Sequence, residues 1–97
     1  MKAIEPIEFD GVETLSFRQI DSMNGVSKGT AFRFFKRLRG ELSEGRDYYY
    51  LPQQSHGAFI QSLRDTGQVY RSTTHLVLVT RSGYERLQRL NAGTGRD

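Results

Sequence analysis

Wound at about 100° per residue, residues 27–39 and their continuation place Ala31, Phe35, Leu38 and Leu42 within a narrow arc, with Arg33, Lys36 and Arg37 on the far side. That pattern predicts a helix over residues 28–39, with one face toward a core and the other toward solvent. A shorter helix precedes it over residues 17–23. Ser16 is its expected N-cap, Gln19 stands at the third helical position to complete a capping box, and Asn24-Gly25 ends it with a residue that accepts the left-handed conformation. Ser27 is the expected N-cap of the second helix. The order of short helix, turn of about four residues and longer helix is that of a helix-turn-helix. Phe17, Ile20 and either Met23 or Asn24 should face the second helix.

Strand patterns flank this pair. Residues 4–9 alternate apolar and acidic side chains and read as an edge strand, because Pro6 has no N–H to give to a neighbour. Asp10-Gly11 turns the chain, and residues 12–15 return as a hairpin partner. Residues 47–51, Asp-Tyr-Tyr-Tyr-Leu, form a β-favouring run stopped by Pro52. Residues 73–80, with Leu76, Val77, Leu78 and Val79 at their heart, read as a central strand buried on both faces. The strands at 47–51 and 75–79 are expected to be neighbours, as a hairpin or ribbon. Between them Phe59, Ile60 and Leu63 give a short helix over residues 57–64 a narrow apolar edge, and Asp65-Thr66-Gly67 ends it. Thr80 caps a last helix over residues 81–90, whose buried edge is Tyr84, Leu87 and either Leu90 or the stem of Arg81. The expected fold class is α+β: a small winged helix-turn-helix-like domain with a small β-sheet and a C-terminal helix.

Ninety-seven residues suffice for one core and not two, so one domain over residues 1–90 is expected, with a Gly-rich flexible tail at 91–97. Six Phe and five Tyr, with no Trp, make that core aromatic-rich. Absence of cysteine excludes a disulfide framework and a thiolate metal site, and His56 and His75 are too few for a histidine cage. No nucleophile elbow, triad spacing or phosphate loop is present, so neither an enzyme nor a cofactor is expected. With no long apolar run and an acidic start, a soluble cytoplasmic protein is expected.

Charge changes the picture more. Residues 28–39 carry five Lys/Arg and no Asp or Glu, against a net +3 for the whole chain, so the remainder sums to −2. Cations without carboxylates one turn away add nothing to a helix by internal pairing, which points to a polyanionic partner. Thr30, Arg33 and Arg37 form the row expected to enter a DNA groove and reach base edges. Lys28, Lys36 and Arg39 flank it for phosphate neutralisation, and Gly29 would let backbone amides approach a phosphate. A homodimer on two half-sites is the expected assembly. Phe32 lies off the apolar stripe and either anchors a partner or packs on the N-terminal strands. Tyr48, Tyr49 and Tyr50 suit stacking on single-stranded bases, although alternation along a strand gives core packing the first claim on them.

Four segments together resemble a known family: Thr14-Leu15-Ser16-Phe17-x-x-Ile20-Asp21; Gly25-Val26-Ser27-x-Gly29-Thr30-Ala31-x-Arg33-x-Phe35; Glu44-Gly45-x-Asp47-Tyr48-Tyr49-x-Leu51; and Val77-Leu78-Val79-Thr80-x-x-Gly83-Tyr84. Their order is similar to that of the N-terminal DNA-binding domain of phage and prophage antirepressor-type proteins, in the broad KilA-N group. The resemblance covers residues 14–90. It implies a small helix-turn-helix module with a strand pair, acting in phage gene regulation or a genetic switch. The competing expectation is a protein-interaction module that docks the same basic face on an acidic protein, such as a host repressor or a host defence complex.

Overall fold

The computed structural model describes residues 4–94. Strand β1 (Ile7–Phe9) turns into β2 (Val12–Leu15) through Asp10 and Gly11, both at positive φ (54° and 77°), with Phe9 opposite Val12. This is the two-residue turn whose twist matches that of the strands. Helices α1 (Phe17–Asn24) and α2 (Thr30–Leu38) follow, then a 3-10 turn (Arg39–Glu41), β3 (Tyr48–Leu51), α3 (Gln53–Asp65), β4 (Leu76–Thr80) and α4 (Arg81–Thr94). The strands form one antiparallel sheet in the order β1-β2-β4-β3.

Every residue of β4 is buried, which is why its sequence is a continuous apolar run rather than an alternation. Val77 and Val79 join Ile20, Ala31, Phe35, Leu38, Tyr48 and Leu87 on the face covered by α1, α2 and α4. Leu76 and Leu78 join Ile7, Leu51, Ile60, Leu63 and Val69 on the opposite face, under α3. A helix on each face makes this an α+β domain of three layers.

Several expectations need correction. The predicted pair does form, with Tyr48 opposite Val79 and Leu51 opposite Leu76, but its strands are joined through α3 on the far face of the sheet. They are therefore not the hairpin of a wing. Helix α3 starts at Gln53, immediately after Pro52, with a non-helical kink at His56 (φ −129°, ψ 24°). Its first turn buries no apolar side chain and so left no periodic trace. Residues 73–75 are not strand. The Thr73 carbonyl accepts a bond from the Arg64 guanidinium, and the Thr73 amide bonds the Tyr70 carbonyl in a turn. Residues 4–6 likewise precede β1. Helix α4 continues past Leu90 into the segment expected to be a tail, and residues 95–97 lie outside the described residues. Leu87 is buried and Tyr84 and Leu90 half-buried, whereas Arg81 is exposed and pairs with Glu85.

Asp47 ties β3 to α4. Its carboxylate accepts from the Ser43 amide and the Ser82 hydroxyl, both at 2.9 Å, and lies 3.6 Å from Arg86 Nε. Burial opposes ionisation of this carboxyl, but the Ser43 amide, the Ser82 hydroxyl and the Arg86 and Arg46 charges outweigh it and hold its pKa below the ordinary 3.8. The Asp47 carbonyl accepts from both the amide and the hydroxyl of Thr80, each at 3.0 Å. Thr80 Oγ1 in turn caps α4 by accepting from the Gly83 amide at 3.1 Å, as its sequence position suggested.

Candidate nucleic-acid interface

Helix α1 forms as its caps dictate. Ser16 Oγ accepts from the Gln19 amide, Gln19 Oε1 accepts from the Ser16 amide, and Gly25 at φ 64° closes the C-terminus with bonds from residues 25 and 26 to the Ser22 and Asp21 carbonyls. Met23 is exposed, so Phe17 and Ile20 carry the packing on α2.

The start of α2 is built differently from the expectation. Ser27 is not its cap. The helix begins at Thr30, after Gly29 at φ 90°, and its cap comes from the preceding helix. Asp21, only 2% exposed, accepts from the Gly29 amide through Oδ2 at 3.0 Å and from the Ala31 amide through Oδ1 at 2.8 Å. A carboxylate against these two amides satisfies donors that the helix cannot, and its charge complements the helix dipole. The Gly29 amide is therefore engaged within the protein rather than open to a phosphate, which corrects the role expected for Gly29. A cap drawn from a helix eight to ten residues upstream leaves no local signature in the sequence.

Along α2, Ala31, Phe35 and Leu38 are buried and Arg33, Lys36 and Arg37 exposed, as their spacing predicted. Thr30 is half-buried. Its hydroxyl donates to the Ser27 carbonyl at 2.8 Å and accepts from Arg33 Nη2 at 3.4 Å, so it orients Arg33 as much as it faces outward. Lys36 Nζ lies 5.5 Å from the Phe32 ring centre, Arg37 Cζ 5.2 Å from that of Phe34, and Arg39 Cζ 6.0 Å from that of Phe35. Each charged head thus lies over an aromatic ring within cation–π reach while its residue stays exposed to solvent. Among the described residues the ion pairs are Arg81 with Glu85 and Arg86 with Asp47, and neither uses a cation of this face. Phe32 is 46% exposed, and its ring lies tilted against that of Phe17 on α1, with centres 5.8 Å apart, rather than on the N-terminal strands.

Two further residues belong to this surface. Tyr70, in the loop before β4, has Lys28 Nζ 5.1 Å and Arg18 Cζ 5.7 Å from its ring centre. Its hydroxyl donates to Asp21 Oδ2 at 2.5 Å. Burial, then this bond and the Asp21 charge, push its pKa up from 10.0 to about 12, against smaller opposing effects of the Gly29 amide and Arg18. The folded protein holds the Tyr70 proton where an unfolded tyrosine has lost it. The associated stability is therefore complete below pH 10 and disappears as pH rises toward 12. Urea unfolding at stepped alkaline pH should show a steeper loss of stability for the natural protein than for Tyr70→Phe; equal slopes would contradict the assignment. Tyr70 lies in a polar stretch with no periodicity, and only the fold brings it to α2.

Comparison of the chain with family models, with curated proteins and with solved structures gives no significant match. The described residues contain no cluster of three or more His, Asp or Glu able to hold a metal ion and no helix long and apolar enough to cross a membrane.

Proposed function

We propose that this domain binds double-stranded DNA by laying the outer face of α2 in the major groove, as a regulatory module of the phage or prophage type that its sequence resembles. The observation that carries the reading is the set of exposed cations Arg33, Lys36 and Arg37 on one side of a helix whose opposite side is core, none of them paired with a carboxylate. A fixed helix with a free cationic face meets both demands of a groove reader, neutralising phosphate and reaching base edges. Arg33, held by Thr30, and Arg37 one turn on are assigned to bases, and Lys28, Lys36 and Arg39 to phosphates. Two copies on a symmetric site would supply the discrimination that one short helix lacks.

Selection of bound sequences from a random duplex pool, followed by footprinting, tests this reading. Arg33→Ala should cost about 1 to 3 kcal/mol on the selected site and relax preference at one base. Lys36→Ala should weaken selected and random duplexes alike and reduce the salt slope by about one ion. A footprint one half-site long would count against the dimer. Failure to protect any duplex in dilute salt, with both variants instead abolishing capture of an acidic host protein, would replace DNA binding by the protein-docking reading.

A further inference from the structure

Beside the outer row of α2 lies a groove of about 640 Å³, between the Phe32 side of that helix and the segment that leads into β4. Arg18, Lys28, Lys36 and Arg39 contribute to its lining, and among the described residues no Asp or Glu does. Its walls are aromatic. Phe32 on α2 and Tyr50 on the edge strand β3 are 46% and 39% exposed, two of the large apolar side chains that the described residues leave most open to solvent. Tyr70 lines the same groove, and its hydroxyl is already committed to Asp21. Tyr50 has His75 beside it, with ring centres 6.1 Å apart.

We infer that this groove takes an unpaired stretch of a nucleic-acid strand, with a base against the exposed rings and the neighbouring phosphates on the four cations. Exposed rings interleaved with uncompensated cations are the combination that single-strand binders use, because every base offers a π-face and every linkage a negative charge. An acidic peptide would use the cations but not the rings, and an apolar ligand the reverse. A B-form duplex cannot enter, since its bases are already stacked on each other. Phe32 and Arg37 are five positions apart on α2, which separates this surface from the outer row by well over a quarter turn. The inference leaves Arg33 and Arg37 no part in it, whereas Lys28, Lys36 and Arg39 would meet phosphates in either reading, so the exposed rings are what tell the two apart.

The test is fluorescence anisotropy with the full chain and labelled single strands of about eight nucleotides, oligo(dT) in one arm and oligo(rU) in the other, beside a duplex of equal length. Binding of at least one single strand is expected. Phe32→Leu and Tyr50→Leu, on opposite walls, should each weaken it about fivefold or more while duplex affinity holds. The two arms tell whether the strand is DNA or RNA. No binding of either strand overturns the proposal, as does binding that neither ring variant weakens, equal loss on duplex and single strand, or competition by polyglutamate as effective as by oligonucleotide. Should Phe32→Leu disturb its contact with Phe17 and unfold the domain, Tyr50→Leu at the sheet edge still decides. Ring-dependent single-strand binding without any duplex binding would sink the proposed function and leave this inference standing; the converse result would do the opposite.

Discussion

Gly83→Ala is expected to lower stability by about 3 kcal/mol or more, at or beyond the upper end of overpacking substitutions. An alanine Cβ at this position would sit 1.9 Å from the Asp47 carbonyl oxygen and 2.7 Å from its carbon. Both are backbone atoms, so no side chain can swing aside. The same carbonyl receives the two Thr80 bonds, and moving it would pull β3 away from the start of α4. For a domain of this size the loss corresponds to roughly 10 °C or more in the melting temperature. Gly40→Ala is the control. Nothing lies within 4 Å of its added methyl, and its φ lies outside the left-handed range, so that change should be neutral or stabilise by a few tenths of a kcal/mol. Thermal and urea unfolding measure both, and equal melting temperatures for the two variants would refute the close-approach account.

Asp21→Ala should follow closely, at about 3 kcal/mol, summing a lost helix cap with buried donors left unsatisfied. The Gly29 and Ala31 amides and the Tyr70 hydroxyl all lose their acceptor. The damage should be local as well as global, because the first turn of α2 has no other cap. Hydrogen exchange at residues 29–31 should accelerate well before that of β4. Asp21→Asn should recover part of the loss, since its remaining oxygen can still accept from Ala31 while its amide faces the Gly29 donor. If exchange at residues 29–31 is unchanged in Asp21→Ala, the carboxylate does not hold this helix.

What could be read in advance was what short segments encode by themselves. Ser16, Gln19 and Gly25 specify α1 within a single turn at each end, the alternation up to Phe9 with the Asp10-Gly11 turn implies the hairpin, and the apolar run at β4 implies a central strand. The division of α2 into buried and exposed positions was equally legible, because periodicity carries it. What was hidden depends on residues distant in sequence. Asp21 and Tyr70 meet across 49 positions, Asp47 and Ser82 across 35, and Gly83 is required only because the Asp47 backbone passes beside it. The passage from β3 to β4 was misread for a related reason. Phe59, Ile60 and Leu63 announce a helix between the two strands, but its first turn is polar and hides where it starts, and nothing local says that it crosses the far face of the sheet rather than lying within the loop of a wing.

The position of β4 has a consequence for how the protein is made. It is the last of the four described strands in chain order but occupies an interior place in the sheet, between β2 and β3. As the polypeptide leaves the ribosome, the β1–β2 hairpin and β3 have no common neighbour until residues 76–80 emerge, and the apolar sides of α1 and α2 have no sheet to cover them. Local pieces such as the capped α1 can flicker into shape earlier, but the core cannot close around them. Folding of this domain is therefore one late event in its synthesis, and a nascent chain halted before Leu76 exposes the Ile20, Phe35 and Leu38 side chains that the finished molecule hides.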